Sequence, residues 1–242
     1  MRAIPRISPL LLLRLAAVFM LLLTATLVLA APRTESRPSP SDLRIGFDPL
    51  SPAEQSRAQE VALKHPAALA HQGQSQRTEL LLVETHEEDK AVIASGDWPR
   101  RADVYVYNYD TDELLWAVVN LPAGAVEHVE TMHNVQLPPT AAESARAVQI
   151  ALADATAGAV IRDLYRQASG RDLGQPGQLR VQATLFRAAD EPEVGVGPAA
   201  ACGLHRCVYL MLATAEGALL RILPIVDLSA SQVVLVNQWE GE

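Results

Sequence analysis

Apolar residues along this chain recur in two rhythms, and the order of the rhythms repeats. Ser51-Pro52-Ala53-Glu54 has the form of a helix start. The serine hydroxyl can accept from the third helical amide, the glutamate can reach back to the serine amide, and proline fits the first helical position. A helix is predicted from there to about Lys64, ending before Pro66. Four extended segments follow, over residues 79–85, 103–109, 113–121 and 125–135, with Asn108, Asp110, Asp112, Pro122 and Gly124 in the turns between the last three. Thr140-Ala141-Ala142-Glu143 repeats the capping pattern. It predicts a helix to about Ala155, interrupted near Gly158 and continuing at helical spacing to Ala168. Extended segments are again predicted, over residues 179–187, 205–214, 218–228 and 232–239.

The two halves also match residue by residue near their ends. Val118-Val119-Asn120-Leu121 aligns with Ile225-Val226-Asp227-Leu228 at a shift of 107 residues, and Val126 and Val129 align with Val233 and Val236. Each half therefore reads as one helix followed by four strands. Short connections make consecutive strands pair antiparallel. The predicted class is α+β: two tandem units, each a helix packed on a four-stranded antiparallel sheet.

The helix can cover only one face of its sheet. In the first unit the other face is not polar. Tyr105, Tyr107 and Tyr109 share one side of their strand, and Trp116 lies with Leu114 and Val118 on one side of the next. A sheet apolar on both sides is buried on both sides. Either the second unit covers this face, or Tyr105, Tyr107, Tyr109 and Trp116 form an interaction surface for a protein partner or a second copy.

The chain ends and the charge narrow the setting. Arg2, Arg6 and Arg14 precede or enter an apolar run from Leu15 to Leu29, and Val28-Leu29-Ala30 offers the small residues of a signal-peptidase site. Residues 1–30 are expected to be a cleaved signal peptide, the alternative being a short membrane anchor, and Pro- and Ser-rich residues 31–45 a flexible linker. Export to a periplasm or the exterior follows, with no stable membrane insertion after cleavage. Loss of residues 1–30 removes three of 20 basic residues and none of 28 acids, leaving a net charge of −11 (17 minus 28). Such a chain is a poor ligand for nucleic acid. Cys202 and Cys207, in CGLHRC, are expected to form a local disulfide in an oxidising compartment. The alternative is a redox or metal pair with His205.

Several of these stretches resemble copper amine oxidases. Asp48-Pro49-Leu50-Ser51-Pro52-Ala53-Glu54, the segment ADVYVYNYDTDELLWAVVNL and Val135-Gln136-Leu137-Pro138-Pro139-Thr140 resemble the second domain of that family. Leu223-Pro224-Ile225-Val226-Asp227-Leu228 resembles the closing line of its third domain. The resemblance covers roughly residues 46–239. It implies cystatin-like folds for both units, over residues 46–138 and 139–242. In the family, a separate β-sandwich carries the tyrosine-derived quinone, three copper-binding histidines and the catalytic base, and the resemblance does not reach it.

Asn108-Tyr109-Asp110 matches the tripeptide around the family's cofactor tyrosine, yet it falls at a hairpin turn where Asn and Asp are ordinary. The six histidines contain no H-x-H pair. His86-Glu87-Glu88-Asp89 reads as a solvated loop, and His128 and His133 point to opposite sides of one strand. The expectation is a non-catalytic exported protein without cofactor or metal site. It would act as a binding or interaction module, with a separate amine oxidase catalytic chain as one candidate partner. The readings set against it are a reduced quinone enzyme using Tyr109, and a cystatin-like ligand binder or inhibitor.

Overall fold

The computed structural model describes residues 48–73, 77–95 and 99–238. The expected signal peptide and linker lie outside the described residues. Helix α1 (Pro52–Leu63) begins at the expected capping box: Ser51 Oγ accepts from the Glu54 amide and Glu54 Oε2 accepts from the Ser51 amide. It stops before Pro66, but Pro66 then starts a second helix, α2 (Pro66–Gly73), whose Ala67 amide donates to His65 Nδ1. Proline ended one helix and suited the first position of the next.

Strand β1 (Thr78–Thr85), a short helix α3 (Lys90–Ser95), and strands β2 (Arg101–Asn108), β3 (Glu113–Asn120) and β4 (Ala125–His133) complete the first half. The strands form an antiparallel sheet in chain order. One face packs on α1. Ala58 and Ala62 of α1, both fully buried, lie against Val104, Val106, Leu115, Ala117, Val119 and Leu121. Alanines on the helix let its backbone approach the sheet closely.

The second half repeats the order. Helix α4 (Ala141–Ala153) has a Thr140/Glu143 capping box and is followed by α5 (Ala155–Ser169). Strands β5 (Arg180–Phe186), β6 (Cys207–Ala213), β7 (Ile222–Asp227) and β8 (Gln232–Gln238) form another antiparallel sheet in chain order. The helix breaks at Asp154, not at Gly158. Asp154 is extended (φ −64°, ψ 134°), and its carboxylate accepts from the Thr156 and Ala157 amides as the cap of α5. Gly158 lies inside α5. A Cβ there would sit 2.4 Å from the Leu152 carbonyl oxygen, so close helix approach is what the glycine permits.

The 107-residue repeat is a structural one. A bulge falls between Val118 and Val119 in the β3–β4 pairing, and between Ile225 and Val226 in the β7–β8 pairing. Asn120 Oδ1 accepts from the Ala123 amide, and Asp227 Oδ1 accepts from the Ala230 amide. Gly124 and Ser231 both adopt left-handed φ, at 63° and 56°.

A further repeated device was not legible from the pattern. Each capping-box glutamate is buried against the arginine that immediately precedes the second strand of its sheet. Arg100 Nε lies 2.8 Å from Glu54 Oε1, with both side chains 2% exposed. The Arg206 Nε and Nη2 pair with both oxygens of Glu143, with both side chains wholly buried. The arginine backbones correspond too: Arg100 O accepts from the Leu121 amide and Arg206 O from the Leu228 amide.

Candidate functional site

The tyrosine row of β2 is divided by its surroundings. Tyr107 and Tyr109 are buried, and with Leu114 they belong to the core formed by Ala147, Val148 and Ala151 of α4, Ile161 and Tyr165 of α5, and Val208, Leu210 and Ile222 of the second sheet. That end of the face is therefore covered by the second half, and Tyr107 and Tyr109 are unavailable as an open surface. Tyr105 and Trp116 remain half-buried.

Both buried hydroxyls are held by carboxylates. Tyr109 Oη donates to Glu143 Oε1 at 2.7 Å and lies 3.1 Å from Glu79 Oε2, with the Arg146 guanidinium 4.7 Å above its ring. Tyr107 Oη donates to Asp112 Oδ1 at 3.0 Å. Burial first, then adjacent carboxylate charge, pushes both phenols above their ordinary range. Asn108 Oδ1 accepts from the Asp110 and Thr111 amides, so the Asn108-Tyr109-Asp110 tripeptide is a turn. Its tyrosine points into a hydrogen-bonded structural junction. Among the described residues, no group of three His, Cys, Asp or Glu is placed to hold a metal ion.

The same junction joins the two sheets on the other side of Tyr107. Arg77 donates to the Leu228 and Ser229 carbonyls, each at 2.7 Å, and Ser229 Oγ donates to Asp112. His205 lies between Asp227, with Nδ1 2.7 Å from Oδ2, and Asp112, with Nε2 3.9 Å from Oδ2. The hydrogen bond to Asp227 raises the His205 pKa against the opposing cost of burial, helped by both carboxylate charges. A raised folded pKa means that this stabilisation is complete below the ordinary histidine value and is lost as pH rises through the folded one. The melting-temperature gap between the wild-type chain and His205→Gln is therefore expected to be wide at pH 6 and to close by pH 9. A gap independent of pH would show that the imidazolium contributes nothing here.

The open end of the first sheet has a different character. The row Leu82–Tyr105–Trp116–Glu130 lies beside the row Glu84–Asp103–Val118–His128 on one face. Asp103 Oδ1 accepts from Trp116 Nε1 at 2.8 Å and lies 2.8 Å from His86 Nδ1. The His86 and Trp116 rings stack at 6.4 Å, and His128 meets Trp116 edge-on at 5.0 Å. Burial, then the charges of Asp103 and Glu84, pushes the Tyr105 phenol up to about 12. In the 86–89 loop, Glu88 is bound by Arg101 rather than by a metal cluster. His133 pairs with Glu113 on the other face from His128. The pattern along the chain had singled out Trp116 and Tyr105 but not Asp103, and it read His86 as part of a solvated loop, whereas His86 turns onto the sheet to meet Asp103 and the Trp116 ring. A lone acid within an apolar strand, level with the tryptophan on the same face, was the available signal.

Cys202 and Cys207 form a disulfide. They close the segment that lies over the outer face of the second sheet, where Phe186, Ala199, Ile225 and Val234 make a small core. Beside it runs a groove of about 260 Å³ lined by Phe186, Val194, Tyr209, Met211, Leu223 and Ile225. No helix among the described residues is long and apolar enough to cross a membrane.

Fold and site together define an α+β protein of two four-stranded antiparallel sheets, with a half-open aromatic and acidic face on the first. No protein-family model matches the chain, and no curated protein does. Among solved structures it is similar to a copper-containing benzylamine oxidase from Hansenula polymorpha, with 17% identity and a TM-score of 0.47. The likeness covers 82% of this chain and 30% of that one, so the chain spans less than a third of the oxidase.

Proposed function

We propose that this chain is an exported, non-catalytic binding module that docks a protein partner through the Tyr105–Trp116 end of its first sheet. It consists of two cystatin-like units, over residues 46–138 and 139–242, behind a signal peptide of residues 1–30 and a linker of residues 31–45. The observation that carries this reading is the division of the tyrosine face. Its Tyr107–Tyr109 end is spent in holding the two halves together, while Tyr105 and Trp116 stay half-open beside Asp103 and His86. Half-buried aromatics with ordered polar neighbours are the residue types that anchor protein interfaces. The Cys202–Cys207 disulfide supports an oxidising address. The fixed phenol of Tyr109 supports a structural role for the residue that the quinone reading would make reactive. A chain bearing an amine-oxidase-type catalytic domain is the partner that the sequence resemblance favours.

The test is affinity capture from an envelope or secreted fraction with the full chain as bait, beside a Tyr105→Ser/Trp116→Leu bait of unchanged melting temperature. Specific proteins held by the first bait and lost by the second are expected. Identical captures from both baits, or none from either, would sink the reading. An amine oxidase catalytic chain among the specific captures would make this protein its accessory subunit.

A further inference from the structure

The two sheets end in four edge strands, β1, β4, β5 and β8. An edge strand offers unpaired N–H and C=O groups to another extended chain, and charged side chains are a common protection. β1 carries Glu79 and Glu84, β4 carries Glu127, His128, Glu130 and His133, and β5 begins with Arg180. β8, with the sequence QVVLVNQ, has no ionisable residue. Its bulge lies toward the Val233 end, and the pairing from Leu235 to Gln238 is regular. Among the described residues, no backbone group of that regular stretch bonds outside the β7–β8 ladder.

The register fixes which groups point outward. The Leu228 amide donates to the Arg206 carbonyl, so these two form a hydrogen-bonded pair at the end of the β6–β7 ladder. Bonded and non-bonded pairs alternate along an antiparallel ladder. Val226 therefore turns its backbone groups to β6, while Ile225 and Leu223 turn theirs to Leu235 and Asn237 of β8. Val236, opposite Pro224, is left with its N–H and C=O on the free edge, while its side chain packs against the core shared by the two halves. Leu235 and Asn237 lie on the other face, level with Ile225 and Leu223 of the outer groove. We propose that β8 pairs antiparallel with β8 of a second copy of this chain, making one eight-stranded sheet across a two-fold axis. Val236 meets its own counterpart, and each amide donates to the other's carbonyl. Two observations select a second copy. The whole sequence has a net charge of −8, and β8 is the edge along which two acidic chains meet without opposing like charges. The two-fold also sets the groove faces side by side, so that Leu235 adds apolar contact to the backbone bonds. Identical edges related by a two-fold close on each other, giving a dimer rather than a fibre.

The experiment is sedimentation velocity of the full chain between about 1 μM and about 1 mM, a range suited to an interface smaller than the roughly 1,200 Å² of a standard one. A reversible monomer–dimer equilibrium is expected. Val236→Pro removes one outward donor from each copy and should weaken the dimer about tenfold or more. Leu235→Lys sets like charges near the two-fold and should weaken it too, so the test does not depend on the proline variant folding. In the wild-type chain, hydrogen exchange at the Val236 amide should be slow at the highest concentration and fast at the lowest. Tyr105→Ser/Trp116→Leu should dimerise as the wild-type chain does, which separates this edge from the partner face of the first sheet. The assignment is overturned if the chain stays monomeric throughout or forms assemblies larger than a dimer. It is equally overturned if both β8 variants dimerise as the wild-type chain does, or if Val236 exchanges at one rate at every concentration.

Discussion

Replacing Arg206 with methionine is expected to lower the stability of the chain by about 3–5 kcal/mol, the range for breaking one side of a buried ion pair. The side chain is wholly buried, and its guanidinium pairs with both oxygens of Glu143, which is wholly buried too. It also donates to Gln136 Oε1 at 3.1 Å and to the Pro138 carbonyl at 3.3 Å, tying the segment before α4 to the start of β6. Methionine fills part of the volume but leaves a carboxylate in the core with only the Tyr109 hydroxyl and the Thr140 amide as donors. At 2–4 °C per kcal/mol for a chain of this size, the melting temperature should fall by roughly 10 °C. Adding Glu143→Gln should recover much of the loss, because it removes the stranded charge while keeping a group that can cap α4. Lys64→Met, at the exposed Glu60–Lys64 pair, should leave the melting temperature unchanged. A single Arg206→Met variant as stable as wild type would show that the pair is not held in this core.

The same device sets an acid limit. Burial works against the ionised form of Glu54, but hydrogen bonds from Arg100 and Ser51 outweigh it and hold the pKa at about 2. Glu143 is likewise lowered, against burial, by Arg206. A depressed folded pKa gives stability that is present above the ordinary glutamate value and lost as pH falls through the folded one. For Glu54 that window runs from 4.5 down to about 2. Unfolding free energy should decline across it in the wild-type chain, and less steeply in the Arg206→Met/Glu143→Gln variant, where one of the two groups no longer titrates.

Gly158→Ala should cost about 3 kcal/mol, at the upper end for forcing extra volume into a packed site. Alanine normally strengthens a helix relative to glycine. Here its Cβ would lie 2.4 Å from the Leu152 carbonyl oxygen and 2.9 Å from Arg162 Nη1. The arginine can move, although it donates to that same carbonyl. The carbonyl is backbone at the end of α4 and cannot yield without opening the α4–α5 junction. A melting temperature lowered by roughly 6–12 °C is expected from thermal unfolding followed by circular dichroism. A neutral or stabilising alanine would mean that the helix ends are farther apart than the structure places them. Gly170, with nothing within 4 Å of an added Cβ but φ at 69°, offers a contrast in which any loss would come from backbone conformation rather than crowding.

The sequence by itself determined the alternation of helix and sheet, and did so through local rules. Capping boxes at Ser51 and Thr140, period-two apolar runs, and Asn, Asp and Gly in the turns act over a few residues, so α1, α4 and all eight strands were legible to within a few positions. The 107-residue repeat was legible for the same reason, because bulge and turn impose the same local demands twice. Where a residue type serves two local purposes, the pattern misled. Pro66 ended one helix and began another, and Gly158 read as a helix break when it marks a close approach. The break itself fell to Asp154, whose carboxylate had a new helix to cap.

What only the tertiary structure decided is which positions along one strand face are core and which are surface. Tyr105, Tyr107 and Tyr109 are equivalent in the pattern of β2 and the turn after it. The second half covers the last two and leaves the first half-open. Likewise Arg100 and Arg206 look like ordinary polar residues until the fold brings them beside glutamates 46 and 63 positions away. Burial and charge pairing between distant segments depend on how the elements pack, and periodicity carries information only about each element's own neighbours.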